Sequence, residues 1–433
     1  AALVVTLTEA EELSRLGVPD LGAEVGRRHM GWLHLPIVDA EAPDARFEAG
    51  WPAASRRIHA VLAQGFRVLV HCKGGLGRAG TVAARLAVER GMPAEHAIAA
   101  VRAVRPGAIE TTAQAAHVRR APAAAAAAPS CDADAIEDRA VGCLLGLAIG
   151  DALGTTVEFR PRDSFPPLTE IVGGGPFGLA RGQWTDDTAM ALALAESLRE
   201  TPDLDAHDLM RRFVSWWEEG VYSCTGTCFD IGIATRQALA RWQRTGDPFA
   251  GSTREDTAGN GSLMRLAPVA VRHWNDRPRL RAVAARQSRT THGAPQAVDA
   301  CVAYAEILAD AIAGEPTATV LATRPGPWAE PVAEVLAGSW RGRRREAIRS
   351  SGYVVHSLEA ALWSIARSHD FRDAVRFAAN LGEDADTTAA IAGQLAGAMT
   401  GASGLPADWR EHLAWHDRIE ALARDLFRQS VAG

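Results

Sequence analysis

Cys72 and Arg78 stand with five residues between them in Arg67-Val-Leu-Val-His-Cys-Lys-Gly-Gly-Leu-Gly-Arg-Ala-Gly-Thr81, and Gly74, Gly75 and Gly77 fill most of the gap. A loop so poor in Cβ atoms turns its backbone N–H groups inward and forms a nest for an anion, with Lys73 beside it. The helix that follows adds its positive N-terminal end. A thiol in that field ionises near neutral pH and becomes a nucleophile. Arg78 then grips two oxygens of a phosphoryl group in a fork. A buried free cysteine beside a glycine turn is the ordinary alternative. Here the strand-like run, His71, the interval, Arg78 and Thr81 all favour an anion-binding nucleophile loop.

Further along, acids gather in three places. Gly142-Cys-Leu-Leu-Gly-Leu-Ala-Ile-Gly-Asp-Ala-Leu-Gly154 is followed by Glu158. Trp184-Thr-Asp-Asp-Thr188 supplies Thr185, Asp186 and Asp187, and Gly382-Glu-Asp-Ala-Asp-Thr-Thr388 supplies Asp384, Asp386 and Thr387. Taken singly, each reads as a helix cap. Adjacent carboxylates without a Lys or Arg repel one another unless a cation neutralises them. Oxygen ligands of this kind suit Mg²⁺ or Mn²⁺ rather than zinc. No His/Cys set has zinc spacing, and Cys224 and Cys228 read as free thiols. Spacing along the chain does not bring the three clusters together.

The elements that must position these groups differ between the two parts of the chain. Leu3–Leu7 and Arg67–Val70 read as buried strands, and 53–64, 78–89 and 94–104 as helices, which together make an α/β domain over residues 1–120. Residues 121–133, an alanine tract between prolines, read as a linker. Beyond it, helical periodicity dominates (189–198, 209–219, 231–242, 283–286, 296–312, 357–367 and 389–399), so residues 134–433 read as one larger all-α domain. The length of 433 residues fits such a multidomain chain, at ~100–200 residues per domain.

His-Cys-x5-Arg with Ala-Gly-Thr resembles the signature of tyrosine and dual-specificity phosphatases, most closely the cyclin-dependent-kinase-associated group. The resemblance covers residues 1–120 without that family's opening strand region, an abbreviated domain. It implies that Cys72 forms the phosphocysteine, Arg78 binds phosphate and Thr81 steadies the thiolate. His34-Leu-Pro-Ile-Val-Asp39 is similar to the acid loop, which makes Asp39 the general acid and Asp44 the runner-up; Gln114 matches a water-positioning glutamine. Gly-Asp-Ala-Leu-Gly, Trp-Thr-Asp-Asp-Thr, Asn260-Gly-Ser-Leu-Met-Arg265 and Gly-Glu-Asp-Ala-Asp-Thr-Thr, in that order, resemble the ADP-ribosylglycohydrolase family. That resemblance implies an all-α fold with two Mg²⁺ or Mn²⁺ ions on Thr185, Asp186, Asp187, Asp384, Asp386 and Thr387, and Glu158 beside the reacting ribose. Asn260, Gly261, Ser262 and Met264 would meet a pyrophosphate, His292 a ribose, and Tyr353 the adenine.

Net charge is −6, which argues against a nucleic-acid-binding surface over the whole chain. Six scattered cysteines indicate reduced thiols and a cytoplasmic setting. No apolar run reaches the ~20 residues that span a bilayer, so no membrane is expected. The expected partners are an ADP-ribosylated protein or nucleic acid, or an ADP-ribose derivative, and a phosphorylated substrate at the front domain. The rivals are a front domain that only binds phosphate, and a helical domain that only reads ADP-ribose.

Overall fold

In the computed structural model, residues 1–122 and 132–431 are described. The chain divides into two compact units, Ala1–Ala128 and Pro129–Gly433. The linker expected over 121–133 lies almost wholly outside the described residues.

In the first unit β1 (Leu3–Thr6) runs between β2 (Gly31–His34) and β3 (Val68–His71), parallel to both. Paired on both edges and rich in β-branched residues, β1 is wholly buried. Parallel neighbours require crossovers. These are α1 (Ala10–Arg15) with α2 (Leu21–Arg27), and then α3 (Ala45–Ala63). After β3 come α4 (Gly77–Glu89), α5 (Ala94–Val104) and α6 (Thr112–Arg119), packed around Ala84, Ala97, Ile98, Ile109 and Val118. The sequence reading missed β2. It also started α3 at residue 53. The helix instead begins at Ala45, where the Asp44 carboxylate accepts a hydrogen bond from Phe47 N at 2.9 Å, and Phe47 stacks on Trp51 with centroids 5.0 Å apart.

Helices dominate the second unit. At its centre α7 (Ala133–Gly154) lies antiparallel against the Ala385–Thr400 helix. Small residues one turn apart let the backbones touch: a Cβ added at Gly146 would lie 2.2 Å from Gly393 O, and one at Gly150 2.2 Å from Ala389 O. Gly142 meets Gly397 and Gly154 meets Ala385 and Asp386 in the same way. By length and composition, residues 133–157 could cross a bilayer, contrary to the expectation of no such run, and 94% of the apolar window is buried inside the fold. That is the environment of a core helix. The antiparallel seam sets the C-terminal end of α7, with Asp151 and then Glu158, against the N-terminal end of the partner helix, with Asp384 and Asp386.

Candidate active sites

The acidic residues of the second unit, hundreds of positions apart in sequence, meet at that end of the seam. One ligand oxygen each from Asp151, Asp187 and Asp386 lies within 4.8 Å of the others, and the same holds for Glu158, Asp230 and Asp386. Asp386 belongs to both groups. Helix α8 (Asp186–Glu200) begins here, yet the side chain of its N-cap residue, Thr185, makes no cap hydrogen bond. The Asp151 carboxylate caps α8 from the neighbouring helix, accepting from the N–H groups of Thr185 (2.9 Å) and Thr188 (3.0 Å) and from both hydroxyls (2.9 and 2.6 Å). The Asp384 side chain caps nothing either; it accepts from Asn260 Nδ2 at 2.7 Å. Freed from capping, the carboxylates turn inward. Thr185 Oγ1 also stands 3.2 Å from an Asp386 oxygen and 3.3 Å from an Asp187 oxygen, and Thr387 Oγ1 is 3.4 Å from Asp187.

So many carboxylates in a dry space cannot all be charged. Burial pushes Asp151 up to about 6 against the hydrogen bonds of Thr188 and Thr185, and burial reinforced by neighbouring acids pushes Asp230 to about 7 and Glu158 to about 10. Asp186, Asp187 and Asp386 are raised strongly, and Asp384 is raised too. Glu158 Oε2, Asp187 Oδ1 and Asp386 Oδ1 are buried without a hydrogen-bond partner. Orphaned carboxylate oxygens at converging positions fit hard divalent cations, and Asp and Thr oxygens are the donors such ions take.

A cleft of about 970 Å³ opens above the cluster, lined by Glu158, Asp186, Asp230, Asn260, Gly261, Met264, His292, Asp384, Asp386 and Thr387 among others. Asn260 does more than line it, because Asn260 Nδ2 orients Asp384. His292 packs its ring where a Cβ on Gly259 or Gly261 would stand (3.2 and 2.7 Å), and burial lowers it to about 3, so it is neutral. Arg265 is fully buried behind the loop, held by Gln287 and Thr291 over the Phe213 ring, and lowered to about 9.

Two of the expected residues stand off the cleft lining. The Ser262 hydroxyl is buried in the core, 2.9 Å from Ser288 Oγ. Tyr353 is the N-cap of the Val354–Arg367 helix and sets its ring edge-on to His356; its neighbours Ser351 and Gly352, not Tyr353, line the cleft. Two acids were missed. Asp151 is the one charged residue in the buried stretch of α7 from Ala140 to Gly154, a signal that was present. Asp230 sits in an irregular loop at φ 56°, and nothing local marks it.

In the first unit the Cys72 loop joins β3 to α4. Gly75, at φ 70°, aims its N–H at Cys72 Sγ (3.2 Å), while Lys73 and Gly74 are exposed. A Cβ on Gly77 would lie 2.3 Å from Glu110 Oε2 and 2.8 Å from Gln114 Nε2, so those side-chain ends would have to shift. Arg78 is buried and held in a fork by Glu12 (2.7 and 3.0 Å), by Ile37 O (3.1 Å) and by Asp39 (2.9 Å). Glu12, which the sequence reading missed, is lowered by this pairing. The Asp39 side chain is 71% exposed beside the arginine. Thr81 departs from expectation: its hydroxyl donates to Gly77 O at 2.8 Å, a bond within its own helix, leaving the thiol to Gly75 N. Asp44 is spent as a cap. Gln114 is the third residue of a capping box on α6, its Oε1 accepting from Glu110 N, so its amide is committed. Parallel register sets Thr6 opposite His71, and Thr6 Oγ1 lies 2.8 Å from His71 Nε2 while accepting from Trp32 Nε1 at 2.8 Å.

Comparison with known proteins adds identity to this geometry. The family model for ADP-ribosylglycohydrolase matches residues 132–432, and one described as "Swiss Army Knife protein, DSP-PTPase phosphatase domain" matches residues 1–118. The ADP-ribosylarginine hydrolase Tri1 of Pseudomonas putida (strain GB-1) is 47% identical over 295 residues, 67% of this chain and 78% of that protein. The ADP-ribosyl-[dinitrogen reductase] glycohydrolase of Rhodospirillum rubrum is 33% identical over 284 residues, 64% of this chain and 91% of that protein. A solved structure described as an "ADP-ribosylglycohydrolase-related protein complex" aligns with a TM-score of 0.62 at 42% identity, covering 69% of this chain and 99% of that one.

Proposed function

The chain belongs to the ADP-ribosylglycohydrolase family and carries a phosphatase domain of the dual-specificity type at its front, and from that premise we propose a metal-dependent ADP-ribosylarginine hydrolase joined to a cysteine-dependent phosphatase. The observation that carries the first half is the pair of carboxylate groups sharing Asp386, with unpartnered oxygens on Glu158, Asp187 and Asp386. A reader of ADP-ribose gains nothing from such repulsion. The arginine acceptor rests on the likeness to the Tri1 hydrolases.

Thr185, Asp186, Asp187, Asp384, Asp386 and Thr387 would hold the two ions, with Asp151 anchoring Thr185 and Asn260 orienting Asp384. Mg²⁺ or Mn²⁺ bound there supplies positive charge that orients ribose hydroxyls and polarises a water. Beside that positive charge the Glu158 carboxyl would return to its ionised form, and its Oε2 would then accept the proton of the attacking water. The Glu158 and Asp230 carboxylates face the positive charge that builds on the anomeric carbon as the C–N bond to the guanidine breaks. Neutral His292, wedged against Gly259 and Gly261, closes one wall without adding a competing cation.

At the front domain, Cys72 Sγ attacks phosphorus, the ester oxygen leaves with a proton from Asp39, and water then cleaves the phosphocysteine. Arg78, held by Glu12 through both terminal nitrogens, keeps Nε unpartnered as the donor for a phosphoryl oxygen.

Turnover of an ADP-ribosylarginine peptide should vanish on chelation and return with Mg²⁺ or Mn²⁺; chelator-resistant turnover would sink the metal reading. Cys72→Ser should abolish hydrolysis of an aryl phosphate without touching ADP-ribose release. Phosphate release that survives the change excludes the cysteine mechanism, and a wild type that binds phosphate without hydrolysing any ester favours the binding-module alternative.

A further inference from the structure

The acids at the mouth of the cleft are bracketed by aromatic rings. Glu158 is followed by Phe159 and Asp230 is preceded by Phe229; Phe177 bridges the two rings, with centroids 6.3 Å from Phe159 and 5.1 Å from Phe229. Phe159 lines the cleft and remains 65% exposed.

Its backbone makes that exposure costly. Phe159 has φ 60°, a left-handed conformation that a bulky side chain resists. Ile109, Leu204 and Tyr222 also have positive φ, but their side chains are 1%, 2% and 5% exposed, so packing offsets the strain. The Phe159 ring instead stays largely in the open, with an edge contact to Phe177. The conformation is imposed by a short antiparallel clamp: Phe159 N donates to Glu383 O at 2.7 Å, and Glu383 N donates to Arg160 O at 2.8 Å. The residue after Glu383 is Asp384, so the clamp ties the aromatic ring to the acidic cluster. Strain of this kind, over-determined by its surroundings, gathers at binding sites.

We propose that Phe159 is the plate on which the acceptor's guanidinium lies, which rests on the arginine-acceptor reading given above and names the residue that makes it selective. The ring stands beside Glu158, at the reacting end of the cleft. Adenine is two riboses and a diphosphate away from the scissile bond and does not compete for that end. What does lie there is the group attached to the anomeric carbon. An aromatic face with carboxylates around it attracts a planar cation. It offers little to a serine oxygen and disfavours a phosphate. The guanidinium plane rests on Phe159, with Glu158 and Asp230 at its edge, and the Phe177–Phe229 pair keeps the plate from folding inward.

Steady-state kinetics on an ADP-ribosylarginine peptide, with Mg²⁺ saturating, test this on the full chain. Phe159→Leu keeps the apolar bulk and removes the π face. It should raise KM about 5- to 30-fold, the ratio corresponding to about 1–2 kcal/mol, with kcat within about threefold of wild type. Phe159→Tyr should restore KM, and the Kd of free ADP-ribose should stay within about twofold in both variants. An unaltered KM in Phe159→Leu overturns the assignment, as does a parallel loss of ADP-ribose affinity, the mark of a merely structural residue. A wild-type protein that releases ADP-ribose from a seryl peptide and not from an arginyl one overturns it outright while leaving the glycohydrolase reading intact.

Discussion

Replacing Gly146 with alanine tests whether the backbone seam between α7 and the Ala385–Thr400 helix sets the acidic centre. Helix propensity alone favours the change by about 1 kcal/mol. The seam opposes it, because the new methyl would lie 2.2 Å from Gly393 O and 3.0 Å from Gly393 C. Ordinary contact needs about 3.5 Å, and the obstructing atom is a backbone carbonyl that has no rotamer to escape into. The axes must part by about 1 Å, a gap that forfeits a quarter to a half of the dispersion well for the atoms along it. With an overpacking cost of about 3 kcal/mol, the net is about 2 kcal/mol of destabilisation. In a unit of about 300 residues that lowers Tm by about 3 °C. The same displacement moves Asp151 away from Asp386, and a 1 Å error at a reacting centre costs about 100-fold in rate. Calorimetry and kcat/KM with saturating metal read the two effects. Gly26→Ala in α2 is the control: nothing lies within 4 Å of its new methyl, so it should be neutral or stabilising. A Gly146→Ala protein with wild-type Tm and turnover would refute the argument that close backbone approach holds the site together.

Asp386→Asn should remove the metal-dependent rise in Tm, worth about 2.7 kcal/mol at a hundredfold excess over Kd, and a full shift on adding Mn²⁺ would show that Asp386 is not a ligand. Glu12→Gln should loosen Arg78 and lower kcat/KM on an aryl phosphate by about 10- to 100-fold, with stopped assays of phosphate release as the measure. Glu89, against which burial works, is nevertheless lowered to about 2 by hydrogen bonds from His59, Ser55, Trp51 and Arg85. Its folded value is below its unfolded one, so the stability it contributes is complete above about pH 4.5 and fades as pH falls toward 2. Glu89→Gln should therefore cost about 2 kcal/mol at pH 7 and almost nothing near pH 2, and urea melts at both pH values would expose a loss that does not depend on pH.

How much of this was legible before folding differs between the two sites. The phosphatase loop is local: Cys72, the glycines and Arg78 lie within one strand–turn–helix, so spacing alone places the nest, and the structure puts Gly75 N on the thiol. What holds Arg78 is not local. Glu12 lies 66 residues away in a short helix without a motif, and only the parallel sheet order brings α1 over the loop. Thr81 and Gln114 drew their roles from resemblance; in the fold the Thr81 hydroxyl donates to Gly77 O, while Gln114 accepts from Glu110 N and donates to Glu41 O.

In the helical unit, residue types alone pointed to a hard cation, since adjacent acids without a base are costly wherever they meet. That Asp151, Glu158, Asp187, Asp230 and Asp386 do meet was decided by the fold. Sequence writes small residues every fourth position on two helices, yet periodicity does not say which helices pair or in which direction. Antiparallel contact of those glycine faces brings two acidic helix ends to one point, relieves Thr185 and Asp384 of capping, and leaves carboxylate oxygens without partners. Local chemistry is carried by neighbours in the chain; convergence depends on packing, which no residue's own neighbours encode.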